Sequence, residues 1–171
     1  MSEYLAHVNR NEDGTWAEHA LEEHLRKVAV LAARFAAPFG GQQWSDLAGR
    51  WHDLGKYRPG FQGYIRKASG YDPDAHIEQG TGRVVHSEAG AVHAVNWHKG
   101  AGRYLAYLIA GHHSGLPDWD KAESGDATLQ SRLARAGKEK HLDEALGAAI
   151  PEDIKVSAFD IAAMSKPLAG C

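Results

Sequence analysis

His52 and Asp53 stand side by side in the tetrad His52-Asp53-Leu54-Gly55, with Lys56 directly behind them. A lone His86 follows downstream, then a second adjacent pair, His112-His113, while His24 lies upstream in a strongly helical stretch. Neutral imidazoles and carboxylates are the ligands that divalent first-row metals take in hydrolytic sites. A chain that strings them together in this way reads as a hydrolase holding one or two metal ions. On a helix His52 and Asp53 point about 100° apart, so they do not offer one direction to one ion. They can serve two neighbouring ions, with the carboxylate bridging through its two oxygens. Lys56 falls at i+4 from His52 and i+3 from Asp53, on the same face. A cation there holds a substrate phosphate or offsets negative charge building up on it.

The other histidines sort by their surroundings. His24 shares a helical row with Val28, Leu31 and Phe35, towards the core side of its helix, whereas His19 runs with Glu23 and Arg26 and is expected to face solvent. His86 opens a helix, with Ser87 and Glu88 in its first turn. Two adjacent imidazoles at the end of an apolar helix are poor packing material, and Gly111 and Gly115 loosen the backbone beside His112-His113. His7 and His76 are expected in exposed loops and His93 and His98 on helix faces; His141 has no support as a ligand.

The elements that must position these residues are read from apolar spacing. Leu21, Leu25, Val28, Ala32 and Phe35 recur at helical spacing within Trp16 to Phe39, closed by Pro38 and Gly40-Gly41. A second helix is expected from about Trp44 to Leu54, with Ser45 or Asp46 as its cap. Gly55 and Arg58-Pro59-Gly60 break it, and Phe61 to Lys67 forms a short third helix. Ser69 to Arg83 is rich in Gly, Asp and Pro and reads as a loop. Helical spacing returns in His86 to His98, Arg103 to His113 and Ser131 to Ala149, and is less clear after Pro151. Sustained period-two alternation is scarce, so the fold class is all-α.

With 171 residues the chain fits one domain with a substantial core. Its only cysteine, Cys171, leaves no disulfide framework and no thiolate metal site, which fits a reducing cytoplasm. There is no cleavable apolar segment at the N-terminus and no apolar run of membrane-spanning length. A net charge of -3 is unlike a protein that grips duplex DNA through many phosphates. Nucleic-acid contact should therefore be local. One basic strip, Lys56, Arg58, Arg66 and Lys67, lies beside the His-Asp pair, and Lys56 and Arg58 are its substrate-binding candidates. A second, Arg132, Arg135, Lys138 and Lys140, reads as a solvated helix face.

The ordered set His24, His52-Asp53, Lys56, His86 and His112-His113 resembles the HD superfamily of metal-dependent phosphohydrolases. The segments HDLGKYRPGFQGYI, HSEAGA and GHHSGLPDW are similar to one branch, the HD nuclease domain of CRISPR-associated type I systems. That branch occurs as the N-terminal part of a nuclease-helicase or as a separate protein. The resemblance covers residues from about 4 to 119. It implies a helical bundle with a metal site in its core, in which two ions cut single-stranded DNA. His24, His52 and Asp53 would hold the first ion, with Asp53 bridging, and His86, His112 and His113 the second. Lys56 would sit against the scissile phosphate, and Asp53 and Lys56 would carry catalysis. The family pattern closes with another aspartate in a late helix. Asp160, in VSAFDIAAM, is a poor match, so either it takes that role or the single domain over residues 1–171 lacks its last helices.

Two divalent ions ~3.5–4 Å apart activate a shared water and clamp both oxygens of a phosphodiester displacement. Histidine-rich coordination favours Mn, Ni, Co or Fe over Mg. The expected partners are single-stranded DNA, a helicase domain in cis or in trans, and an RNA-guided CRISPR surveillance complex, in the cytoplasm and away from membrane. Tyr57, Phe61 and Trp119 are either base-stacking platforms, worth ~1–3 kcal/mol each, or core. Two alternatives stay open: an HD-type nucleotide or cyclic-nucleotide phosphohydrolase, and a metal-depleted HD docking module.

Overall fold

Asp13-Gly14 turns the chain back on itself near its N-terminus. The Asp13 carboxylate accepts from the Thr15 amide at 2.9 Å, and Gly14 takes a φ of 84° that favours glycine. In the computed structural model, which describes residues 3–72, 84–120 and 122–159, this turn joins two antiparallel strands. They are β1 (Leu5–Arg10) and β2 (Trp16–Ala20). The helix expected from Trp16 therefore starts later, as α1 (Leu21–Ala36), and His7 lies on a strand rather than in a loop. The described residues are mostly helical with this minor sheet, so the all-α expectation holds only approximately.

The remaining helices are α2 (Gln42–Trp51), α3 (Pro59–Ser69), α4 (Ser87–Gly111), α5 (Leu129–Lys138), α6 (His141–Leu146) and α7 (Glu152–Lys155). The residue capping α2 is Gly41, not Ser45 or Asp46, and the helix ends at Trp51, with a 3-10 turn at Leu54–Tyr57. Within α4 the two helical stretches read between His86 and His113 remain two helical segments, separated by a kink at Lys99, whose φ is 53°. The single helix expected over Ser131 to Ala149 is two, because Lys140 takes a left-handed conformation at φ 55°. The loop expected from Ser69 to Arg83 lies mostly outside the described residues. No helix of the described residues is long and apolar enough to cross a membrane.

Leu21, Leu25, Leu47, Trp51, Leu54, Leu105, Ile109, Leu129 and Ile154 are fully enclosed in one core. Burying each such side chain stabilises the fold by about 1.5–3 kcal/mol. Trp51 also donates its indole N–H to the Ile154 carbonyl at 2.9 Å, tying α7 under α2. The second basic strip is not a uniformly solvated face. Arg135 is ion-paired with Glu88, which is 1% exposed, and the Glu88 carboxylate also faces His141. Burial alone would raise the Glu88 pKa; His141 and Arg135 outweigh it and keep the carboxylate ionised.

His93 lies on a buried face of α4, and its Nε2–H donates to the Lys155 carbonyl at 2.8 Å. Burial lowers its pKa from 6.5. Below that value the unfolded chain takes up the proton first, so stability from the neutral ring is present above about 6.5. It is lost as pH falls towards the lowered folded pKa. Urea unfolding at stepped pH should show this loss, and His93→Gln, which keeps an N–H donor, should make it shallower. An unchanged slope in the variant would show that His93 is not its source.

Candidate metal centre

Two close backbone approaches assemble this site. Gly55 packs against the His86 carbonyl so tightly that a Cβ would lie 2.1 Å from that oxygen. Gly90 meets the Trp51 carbonyl in the same way, at 1.8 Å. Together they press the start of α4 onto the turn that carries Asp53 and Lys56. On the other side, Gln62 clamps the hairpin. Its buried amide accepts from Leu5 N at 3.0 Å and donates to Leu5 O at 3.0 Å and to Lys56 O at 2.7 Å.

The helix ends orient the imidazoles. His52 follows α2, and its Nδ1 lies 2.7 Å from the Gly49 carbonyl, three residues back. His112 follows α4 and repeats the arrangement, with Nδ1 2.6 Å from the Ile109 carbonyl. Terminal helix carbonyls lack intrahelical partners and only accept, so each Nδ1 carries the proton and each Nε2 presents a lone pair. His86 Nδ1 lies 3.3 Å from the Val84 carbonyl and is oriented in the same sense.

Those Nε2 atoms converge on Asp53, whose side chain is 3% exposed. Its Oδ2 lies 3.3 Å from His24 Nε2, 3.1 Å from His52 Nε2 and 2.9 Å from Lys56 Nζ. Oδ1 lies 3.3 Å from His86 Nε2 and 3.4 Å from His112 Nε2, and makes no hydrogen bond of its own. His24 and His52 approach through Nε2 at 3.2 Å, and His86 and His113 at 2.7 Å. Lone pairs crowded against a carboxylate repel unless cations stand between them. The donors form two groups, His24-His52-Asp53 and Asp53-His86-His112-His113, each with all its donor atoms within 4.8 Å of one another. This nitrogen-rich set around a shared carboxylate with one unpartnered oxygen fits divalent first-row metals.

The charges suit the same use. Lys56 Nζ, 2.9 Å from Asp53 Oδ2, favours the ionised carboxylate. Burial lowers His86 to about 4, so that ring is neutral near pH 7 and needs to shed no proton to coordinate. Lys56 is buried and bridges Asp53 to the Ala6 carbonyl at 3.1 Å, tying β1 to the site.

The structure thus brings His24, His52, Asp53, Lys56, His86, His112 and His113 together. Arg58 stands apart: it pairs with Glu144 at 2.7 Å and donates to the Val85 carbonyl at 3.1 Å, bracing the approach to His86. Tyr57 and Phe61 are buried in the core rather than available for stacking, and Trp119 is half-buried. His19 lies on β2 opposite His7, and His7 packs edge-on against His24, 5.1 Å between ring centres. A loop at His7 would not bring it beside the centre; the hairpin that does so is signalled by Asp13-Gly14. Asp160 lies outside the described residues.

Comparison with known families gives a match to the family described as Cas3, HD domain, over residues 10–167. No curated protein matches the chain.

Proposed function

The chain belongs to the Cas3 HD-domain family, a metal-dependent nuclease domain of CRISPR systems, and from that premise we propose that it cuts single-stranded DNA during type I interference. The observation that carries this reading is the Asp53 carboxylate, divided between two groups of imidazoles. When bound, a pair of divalent ions supplies an activated water and a clamp on the attacking and leaving oxygens. We assign His24, His52 and Asp53 to one ion and Asp53, His86, His112 and His113 to the other, with Mn, Ni, Co or Fe ahead of Mg.

The protein's own groups do the rest. Asp53 stays ionised and the imidazoles accept through Nε2, so coordination displaces no proton from His86. Lys56 spends two of its three N–H donors on Asp53 and the Ala6 carbonyl; we assign the third to an oxygen of the scissile phosphate. Asp53 is deeply recessed, and a single strand reaches such a site more readily than a stacked duplex. A helicase domain, in cis or in trans, would deliver that strand from an RNA-guided surveillance complex in the cytoplasm.

Circular single-stranded DNA tests the reading, because a circle has no end for an exonuclease. With Mn²⁺ or Ni²⁺ the circle should be opened and degraded, more weakly with Mg²⁺ and not at all in EDTA. A circle left intact under every metal, with hydrolysis of free or cyclic nucleotides instead, would overturn it.

A further inference from the structure

A second polar site adjoins the centre on the His113 side. A cavity of about 180 Å³ opens there, lined by His86, Ser87, His113, Ser114 and Arg132 among others, and no carboxylate among the described residues lines it. Arg132, like Arg66, differs from four other arginines of the chain. Arg26, Arg50, Arg58 and Arg135 each hold a carboxylate. Among the described residues Arg132 bonds only to neutral oxygens, the Ala110 carbonyl at 3.0 Å and Ser114 Oγ at 3.4 Å. These contacts fix a guanidinium at the C-terminal end of α4, close to His112 and His113, with no carboxylate among the described residues paired to it. A guanidinium carries five N–H donors, and two are used here. A fixed fork with donors to spare, beside serine hydroxyls, is suited to a phosphate oxygen pair.

We propose that this cavity is a subsite for the phosphodiester next to the scissile one, with Arg132 as its anion-binding side chain. The proposal rests on the nuclease reading above. A DNA strand whose scissile phosphate lies at Asp53 would run past His113 and place its neighbouring phosphate against Arg132. Arg132 then sets strand position and affinity rather than performing the cleavage chemistry.

Steady-state cleavage by the Mn²⁺-loaded protein tests this with two substrates. One is a single-stranded oligonucleotide; the other is bis(p-nitrophenyl) phosphate, a diester with no neighbouring phosphate. For Arg132→Gln the KM for the oligonucleotide should rise about tenfold, the order expected for one lost charge-assisted hydrogen bond. The preference for the oligonucleotide over the small diester should fall by a similar factor. The slope of log KM against log salt should become shallower by about 0.7, the share of one phosphate in a single strand. Arg132→Lys should recover part of the loss. Equal loss on both substrates, or an unchanged salt slope, would overturn the subsite. If the parent protein hydrolyses the small diester and leaves DNA uncut, the nuclease reading itself fails, and the subsite with it.

Discussion

Asp53→Ala should lower metal-dependent cutting of single-stranded DNA by at least about 10³-fold, a loss near 4 kcal/mol of barrier stabilisation. Each Asp53 oxygen faces a different group of imidazoles, so one substitution removes the carboxylate from both. The same change strands the buried Lys56 ammonium, and breaking a buried pair on one side costs about 3–5 kcal/mol. Loss of fold would then mimic loss of chemistry. The double variant Asp53→Ala/Lys56→Met separates them, since it removes both charges. Its thermal midpoint should recover most of the loss while cutting stays absent. Cutting by either variant at a rate near the parent's would show that the carboxylate is not part of the machinery.

Gly90→Ala should destabilise the fold by about 3 kcal/mol or more, through overpacking. The added Cβ would stand 1.8 Å from the Trp51 carbonyl oxygen, a backbone atom that cannot swing aside. Trp51 is fully buried and bonded to Ile154, so α4 must move away from α2 and loosen α7 with it. Gly60→Ala in α3 is the control, because nothing lies within 4 Å of its added Cβ. That variant should equal or exceed the parent in urea unfolding, by up to about 1 kcal/mol from helix propensity. A Gly90→Ala midpoint equal to the parent's would mean that the close contact of α4 with Trp51 is not required.

Adjacent residues were the part of the site that could be read directly. His52-Asp53-Lys56 and His112-His113 announce themselves because their neighbours in sequence are neighbours in the site. The orientation of their rings could not be read, since it depends on where helices end: His52 turns onto Gly49 and His112 onto Ile109. Gln62 is polar and sits on a short helix, and nothing local marks it as the clamp between β1 and the Lys56 turn. The hairpin escaped because its alternation is poor. The register shifts between Leu5 and His7, which leaves Leu5 and Ala6 both buried. β2 is a five-residue strand containing two alanines, and it leads without a break into α1. The break at Lys140 was hidden for another reason: a lysine at positive φ has no local signature, and a tertiary contact of His141 with Glu88 accompanies it. Arg132 and Arg135 share a helix and a charge, and only the fold separates one facing a buried carboxylate from one lining a cavity.

The most direct measurement is an Mn²⁺ titration of the metal-free protein, counting bound ions and following their electron paramagnetic resonance. Two ions per chain are expected, with the spin coupling of a carboxylate-bridged pair, and both the second ion and the coupling should vanish in Asp53→Ala. A single uncoupled ion in the parent, or a coupled pair that survives the loss of Asp53, would contradict a centre built around that carboxylate.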